Sequence, residues 1–495
     1  MYRNKLESYL QKSSLEFTKA DIVRYFVDNN IKMLNFRYVA GDGRLKALSF
    51  VINSAEHLDN ILSTGERVDG SSLFKYIEAG SSDLYVVPQY RFAFVNPFEA
   101  EPTLDILCHY FTNDGKPLAS SPVQIMKKAH EELEKTTGFK LEVMGELEYY
   151  VIAPKQELYP ATDQRAYHES PPFTKYEYIF KEAMKIVAEC GASIKYGHSE
   201  VGNFKQGNQE MEQYEIEYLP VDLEDAAFTM VLTKWVLRML GKKYGVIISY
   251  APKITVGKAG SGMHIHCRLM KDGKNMMIDK GVLSVHARKF IAGLLHLSQA
   301  LTAFGNTIPT SYLRLVPHQE APTNICWGDR NRSVLVRVPL GWLGDAWKMS
   351  SIVNPLEVVT EKDYSIKQTV EFRCPDGSAD IYLLLAGLTV AARVGFELDN
   401  ALEIAEKNYV GVNIFHAEHK HIVEKLKQLP ASCSESADAL LELAPYFTAK
   451  DVFTLGLLEN IANNLKSYDD YRLSERLEGN VEEIAKLVDK YLNYA

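Results

Sequence analysis

Four stretches of this chain alternate between apolar and ionisable residues, and that alternation constrains its fold more than any other feature. In residues 144–152, MGELEYYVI, an extended strand puts Glu146 and Glu148 on one face and Leu147, Tyr149 and Val151 on the other. Residues 213–220, QYEIEYLP, set Glu215 and Glu217 against Tyr214, Ile216 and Tyr218. Residues 260–269, GSGMHIHCRL, align His264, His266 and Arg268 opposite Met263, Ile265, Cys267 and Leu269. Residues 368–376, QTVEFRCPD, place Glu371 and Arg373 opposite Phe372. Two carboxylates roughly 6.8 Å apart on one strand repel by about 2–3 kcal/mol at an effective dielectric of about 20. One E-x-E fits a solvated sheet face; four such strands with apolar backs fit the wall of a site.

The chemistry of that wall follows from its residue types. Carboxylates with one or two histidines and no thiolate suit Mg²⁺ or Mn²⁺ better than zinc or copper. Arginines are at hand: SYLRLVPHQEAP carries Arg314, and WGDRNRSVLVRVP carries Arg330, Arg332 and Arg337. Guanidinium groups beside divalent metals are the recurring equipment of phosphoryl transfer. The chain has no G-x-x-x-x-G-K-[ST] loop and no kinase signature, so a nucleotide would be held in another way.

Composition narrows the setting. With 495 residues, 46% of them hydrophobic, the chain can build a large core and two or more domains. The formal charge of −9 and the lack of a basic block argue against nucleic acid. The N-terminal residues lack an apolar signal core, and IYLLLAGLTVAA is too short to span a bilayer, so a soluble, cytoplasmic protein is expected. Six scattered cysteines without a C-x-x-C pair read as reduced thiols.

The pattern predicts an α+β fold. KADIVRYFVDNN reads as a short helix, followed by two strands across the GDG turn, and these open a sheet-rich unit over residues 15–105. A boundary is expected near residue 105, with a catalytic part over 106–495. SPVQIMKKAHEELEKTTG is a helix with a Ser-Pro entry and a Gly stop, and further helices alternate with strands up to a mostly helical tail from about residue 400.

In order along the chain, these motifs resemble those of the glutamine synthetase family, most closely its bacterial type I branch. VDGSS (68–72) is similar to the family's F-D-G-S-S, GELEYYV to G-x-E-x-E-F, GHSEV (197–201) to H-H-E-V, and QYEIEY to Q-x-E-I-D-F. GSGMHIH resembles the glycine-rich histidine strand, SYLRLVPHQEAP the arginine strand with its mobile glutamate flap, RNRSVLVRVP the phosphate-binding arginines, and VEFRCPD the closing E-x-R-x-P-D. The resemblance implies a β-grasp-like N-terminal domain and a catalytic domain of the glutamine synthetase/guanido kinase type with a curved antiparallel sheet. It implies a homo-oligomer of stacked rings, a dodecamer in the type I branch, with active sites between subunits.

It also implies roles. Glu146, His264 and Glu371 would hold one Mg²⁺ or Mn²⁺, and Glu148, Glu200 and Glu215 a second; ATP would be a substrate. His266, Arg268, Arg332 and Arg337 would contact ATP. Gly260, Arg314, Arg332 and Arg373 would bind the acid substrate, with Arg314 on its α-carboxylate. Asp69, from a neighbouring subunit, would bind ammonium, and Glu320 would close the site. The activity implied is ATP-dependent formation of glutamine from glutamate and ammonium through γ-glutamyl phosphate. Ala259 stands where the family carries asparagine, His318-Gln319-Glu320 where it carries Gly-Tyr-Glu, and His266-Cys267-Arg268 where it carries H-x-S. About seven extra residues separate Glu200 from Glu215, leaving Glu210 or Glu212 as alternative ligands. These departures keep two other readings open, a ligase for a larger amine such as a polyamine and a non-catalytic family member.

Overall fold

The computed structural model describes residues 3–77, 82–316, 321–341, 344–477 and 479–494. Its N-terminal sheet has five strands in the order Leu45–Val51, Met33–Val39, Thr103–Phe111, Asp83–Val95, Glu66–Asp69. The strand Met33–Val39 pairs antiparallel with its hairpin partner but parallel with Thr103–Phe111. One face is covered by the helix Lys19–Asp28, begun by a Thr18/Asp21 capping box, and by Ala55–Thr64. Leu34, Phe36, Leu104 and Ile106 meet Ile22, Phe26, Leu58 and Leu62 in a core of its own. Leu6 belongs to this core, and Thr103–Phe111 crosses the junction expected near residue 105 while pairing wholly within this sheet. We therefore place the junction after Phe111, with the first residues included in the N-terminal unit.

The catalytic sheet is mostly antiparallel and runs Trp327–Asp329, Val336–Val338, Val370–Phe372, Met263–Lys271, Lys140–Pro154, Gln209–Tyr218, Ile194–Gln206. Its apolar side, including Val143, Leu147, Tyr149, Ile216, Ile265 and Phe372, is packed in one large core with the helices Pro122–Thr137, Glu177–Glu189, Leu223–Tyr244, Val285–Gly305 and Ile381–Glu397. The helix Ile381–Glu397 is buried along almost its whole length, which accounts for its unbroken apolar run. No single described helix is long and apolar enough to cross a membrane. Phe92 and Phe94 of the first sheet pack against Phe228 of the helix Leu223–Tyr244, joining the two units.

Beyond Ala401 the described residues form helices joined by a largely looped stretch over 408–432, and the segment Cys433–Glu442 packs on Val285–Gly305 and Leu455–Lys466. The six cysteines are all buried free thiols.

Candidate active site

Register places the ionisable residues opposite one another across neighbouring strands. Glu146 lies across from Glu217 and Glu148 from Glu215, while His264 faces Glu146 on the other side. His266 and Arg337 both lie opposite Glu371. Like charges directly across a strand pair are destabilising, and here two such Glu–Glu pairs lie side by side.

The imidazole of His264 sits between carboxylates: Nδ1 is 3.1 Å from Glu146 and 3.6 Å from Glu371, and Nε2 is 4.0 Å from Glu148. His266 Nε2 is 2.9 Å from Glu146, with Nδ1 against Thr369 Oγ1 at 2.9 Å. Glu371 accepts from Arg337 at 2.8 Å and from Arg373 Nε at 3.0 Å. Glu148 accepts from the Gly262 N–H at 2.7 Å. Glu215 lies 3.0 Å from His198 Nε2, and Glu200 accepts from the Val201 N–H at 2.7 Å. On this sheet face, three groups of ligand atoms among the described residues are close enough to share an ion: Glu146, His264 and Glu371; Glu148, Glu215 and His264; His198, Glu200 and Glu215.

The electrostatics match this crowding. Burial, reinforced by Glu146, Glu148, Glu200 and Glu217, pushes Glu215 well above the usual carboxylate range. Burial and Glu146 push Glu217 up to about 7. Burial opposes ionisation of Glu146 too, but the charge of His266 and hydrogen bonds from both histidines hold it well below the usual range. A buried site with more carboxylate than cationic charge, built from oxygen donors and a few imidazoles, fits hard divalent cations of the Mg²⁺ and Mn²⁺ kind.

Arg314 is buried and donates to the carbonyl of Cys374 at 2.8 Å, with Nη2 3.5 Å from His264. It occupies a helical turn, Ser311–Arg314, where the sequence resemblance implied a strand; an alternating SYLRL segment satisfies both patterns over so few residues. Two glycines let it reach the site. A Cβ at Gly260 would lie 2.9 Å from Arg314 Cγ and 2.6 Å from the Pro252 carbonyl, and one at Gly262 2.6 Å from Arg314 Nη2 and 2.8 Å from His264. Ala259 is held by its backbone, its carbonyl accepting from Tyr150 Oη at 2.9 Å and its N–H donating to Gln164 at 2.7 Å.

The remaining expected residues are spread more widely. Arg373 donates to the carbonyl of Arg332, whose own side chain is exposed. Arg268 is on the sheet face but is engaged by Glu142 at 2.8 Å and by the Ile366 carbonyl at 2.6 Å. Asp69 stands on the N-terminal sheet, capping the turn Gly70–Leu73 and bonded to Ser71 and Ser72, outside the ligand groups formed among the described residues. Glu320 lies outside the described residues. Glu210 and Glu212 sit on the opposite face of their strand and are engaged by Lys175, at 3.5 Å for Glu212, whose carboxylate also accepts from Tyr214 at 2.5 Å.

Sequence reasoning assigned no role to His198 or Glu217. Strand alternation carries the signal for both, since His198 shares a face with Glu200 and Glu217 with Glu215. His168, on a separate segment whose N–H donates to the Ser199 carbonyl at 3.0 Å, has its ring 4.3 Å from that of His198 and stacks on Tyr167 at 4.2 Å.

A curved sheet lined with clustered carboxylates, imidazoles and guanidinium groups defines a divalent-metal site of the phosphoryl-transfer class. The family profiles described as glutamine synthetase, catalytic domain, and glutamine synthetase, beta-Grasp domain, match residues 119–476 and 30–113. The chain belongs to the glutamine synthetase family and is an ATP-dependent ligase. It is 28% identical to the glutamine synthetase of Frankia alni over 480 residues, covering 90% of this chain and 94% of that one. It is 28% identical to that of Clostridium saccharobutylicum over 468 residues, covering 92% and 96%. The glutamine synthetase of Plasmodium falciparum, solved by electron cryomicroscopy, shares the fold with a TM-score of 0.75 at 19% identity, over 93% of this chain and 98% of that one. A GmaS/ADP complex does so with a TM-score of 0.72 at 17% identity, over 91% and 96%.

Proposed function

We propose that this ligase forms glutamine from glutamate and ammonium, with ATP activating the γ-carboxylate as γ-glutamyl phosphate. The observation that carries the reading is the pairing of an acidic, imidazole-lined sheet face with Arg314 at its edge and Arg337 and Arg373 across it. Glu146, His264 and Glu371 would hold one Mg²⁺ or Mn²⁺, and Glu148, Glu200 and Glu215 a second, with His198 beside them. Bound divalent cations would supply the positive charge that screens the nucleotide phosphates from these carboxylates.

The chain's own residues do the rest. Arg332, Arg337 and Arg373 offset charge on the phosphoryl group in flight, and Arg314 fixes the α-carboxylate of the acid. His266 and Arg268 border the nucleotide, and Gly260 leaves room for the acid. Asp69, contributed across a ring contact in a stacked-ring homo-oligomer, binds ammonium and takes its proton, so that neutral ammonia attacks the acyl phosphate. Glu320 closes over the intermediate and excludes water. The buried free thiols suit a reducing, cytoplasmic setting.

A second reading, ligation to a larger amine, is favoured by Ala259, which offers the substrate loop only a methyl group where the family carries an amide. The two readings separate in one assay: phosphate release with glutamate and Mg²⁺ or Mn²⁺, following glutamine, across ammonium, methylamine and polyamines. Glutamine formed in step with phosphate supports the first. Strong stimulation by an organic amine with none by ammonium replaces it with the second.

A further inference from the structure

A cavity of about 530 Å³ lies where the N-terminal hairpin meets the catalytic unit, and none of the residues that line it was given a catalytic role above. Its walls come from the hairpin turn at Gly43–Leu45, one face of that helix, the segment Val246–Ile248 and Asn493. Among the described residues its ionisable lining is all of one sign, Arg44, Lys234, Arg238 and Lys242, with no carboxylate beside them. The nearby acceptors are neutral carbonyls. Arg44 donates to Asn493 at 3.0 Å, Arg238 to Asn493 and Tyr494 at 3.4 Å, and Lys234 to Gly377 at 2.8 Å.

Lys234 is buried, and burial together with the charge of Arg238 brings its ammonium down to about 7, against the pull of Asp376 and Asp380 behind it. Arg238 in turn is lowered by burial and by Arg44, with Tyr250 the group that opposes this. Lys234, Arg238 and Arg44, the first two largely withdrawn from water, oppose one another's positive charge, and a bound anion would relieve that opposition. The rest of the wall is apolar: Leu45, Val231, Trp235, Val246 and Ile248. A cavity of this size, apolar with a few convergent charges, has the form of a small-molecule site.

We propose that this cavity binds a small organic anion, its phosphate or carboxylate head held by Lys234, Arg238 and Arg44, and its apolar body against Trp235. Lys242 guards the exposed rim. Behind the cavity, Lys234 is bonded to the carbonyl of Gly377, two residues beyond Pro375, which with Cys374 supplies carbonyls to Arg314, so Lys234 links the cavity to that segment.

The test needs no turnover and so stands apart from the choice of amine. Phenyl phosphate, benzoate and inorganic phosphate are titrated into the full chain by calorimetry, at constant ionic strength. Saturable binding is expected for an aromatic anion and weaker binding for inorganic phosphate, which lacks the apolar body. Arg238→Gln is expected to weaken it by about tenfold or more, and the exposed Lys242→Glu by a smaller factor, without effect on the catalytic arginines. Tighter binding of phenyl phosphate assigns a phosphate head and tighter binding of benzoate a carboxylate head. Absence of saturable binding, or saturation that both variants leave unchanged, overturns the proposal.

Discussion

The two buried polar clusters of this molecule show how differently a fold can treat a carboxylate. In the N-terminal sheet, Asp105 is fully buried and accepts from Asn35 at 2.8 Å, Arg37 at 2.5 Å and Asn96 at 3.0 Å. One carboxylate meets one guanidinium, and two amides fill the remaining acceptor positions. In the catalytic sheet, Glu146, Glu148, Glu200, Glu215, Glu217 and Glu371 share the positive charge of Lys195, His266, Arg314, Arg337 and Arg373. The first cluster is complete as it stands. The second leaves negative charge for something outside the chain to balance, and that excess distinguishes a reactive site from a structural ion pair more clearly than burial does.

The sharpest way to break this comparison is Glu146→Ala. Activity is expected to fall by about three orders of magnitude or more, with loss of metal-dependent ATP binding and a folded protein by circular dichroism; unchanged metal-dependent binding of ATP would remove Glu146 from the site. Next in size, Arg37→Met leaves Asp105 buried without its cation. Unfolding free energy should drop by about 3–5 kcal/mol, read from urea denaturation, and a change below about 1 kcal/mol would show that Asp105 is not dependent on that partner.

Metal removal tests the other cluster. Glu217, raised to about 7, keeps a proton in the folded state that the unfolded chain releases near pH 4.5, so this group makes the metal-free protein less stable as pH rises through that window. The contribution is at most about 3 kcal/mol. A cation on Glu146 removes much of the repulsion that raises Glu217, so the melting-temperature gap between Mn²⁺-loaded and chelated protein should widen from pH 5.5 to pH 7.5. A gap independent of pH would contradict the charge excess. The smallest effect is expected from Glu215→Gln, which should leave the chelated protein as stable or more stable by about 1 kcal/mol at pH 7.5, the opposite sign to Arg37→Met.

Much of the catalytic face was legible because a strand's period of two is a local property. Glu146, Glu148, His264 and Glu371 could be assigned to one face from sequence, and register then brought them together. What escaped depended on distant partners. The strand Thr103–Phe111 reads locally as the start of something new, and only its parallel pairing with Met33–Val39 ties it to the first sheet. The backbone of Arg314 forms one helical turn, too short for periodicity to register. The same holds for Glu210 and Glu212, whose acidity suggested ligands until Lys175, on a separate segment, accounted for it.

On the role proposed for Arg314, the glycines beneath it also set where natural drift and laboratory selection can act on the choice of acid. A methyl group at position 260 would meet the Pro252 carbonyl and one at 262 would displace the Arg314 guanidinium or His264 imidazole, whereas Ala259 bonds through its backbone atoms. Saturation mutagenesis aimed at a new acceptor acid will therefore recover variants at 259 and very few at its two glycine neighbours.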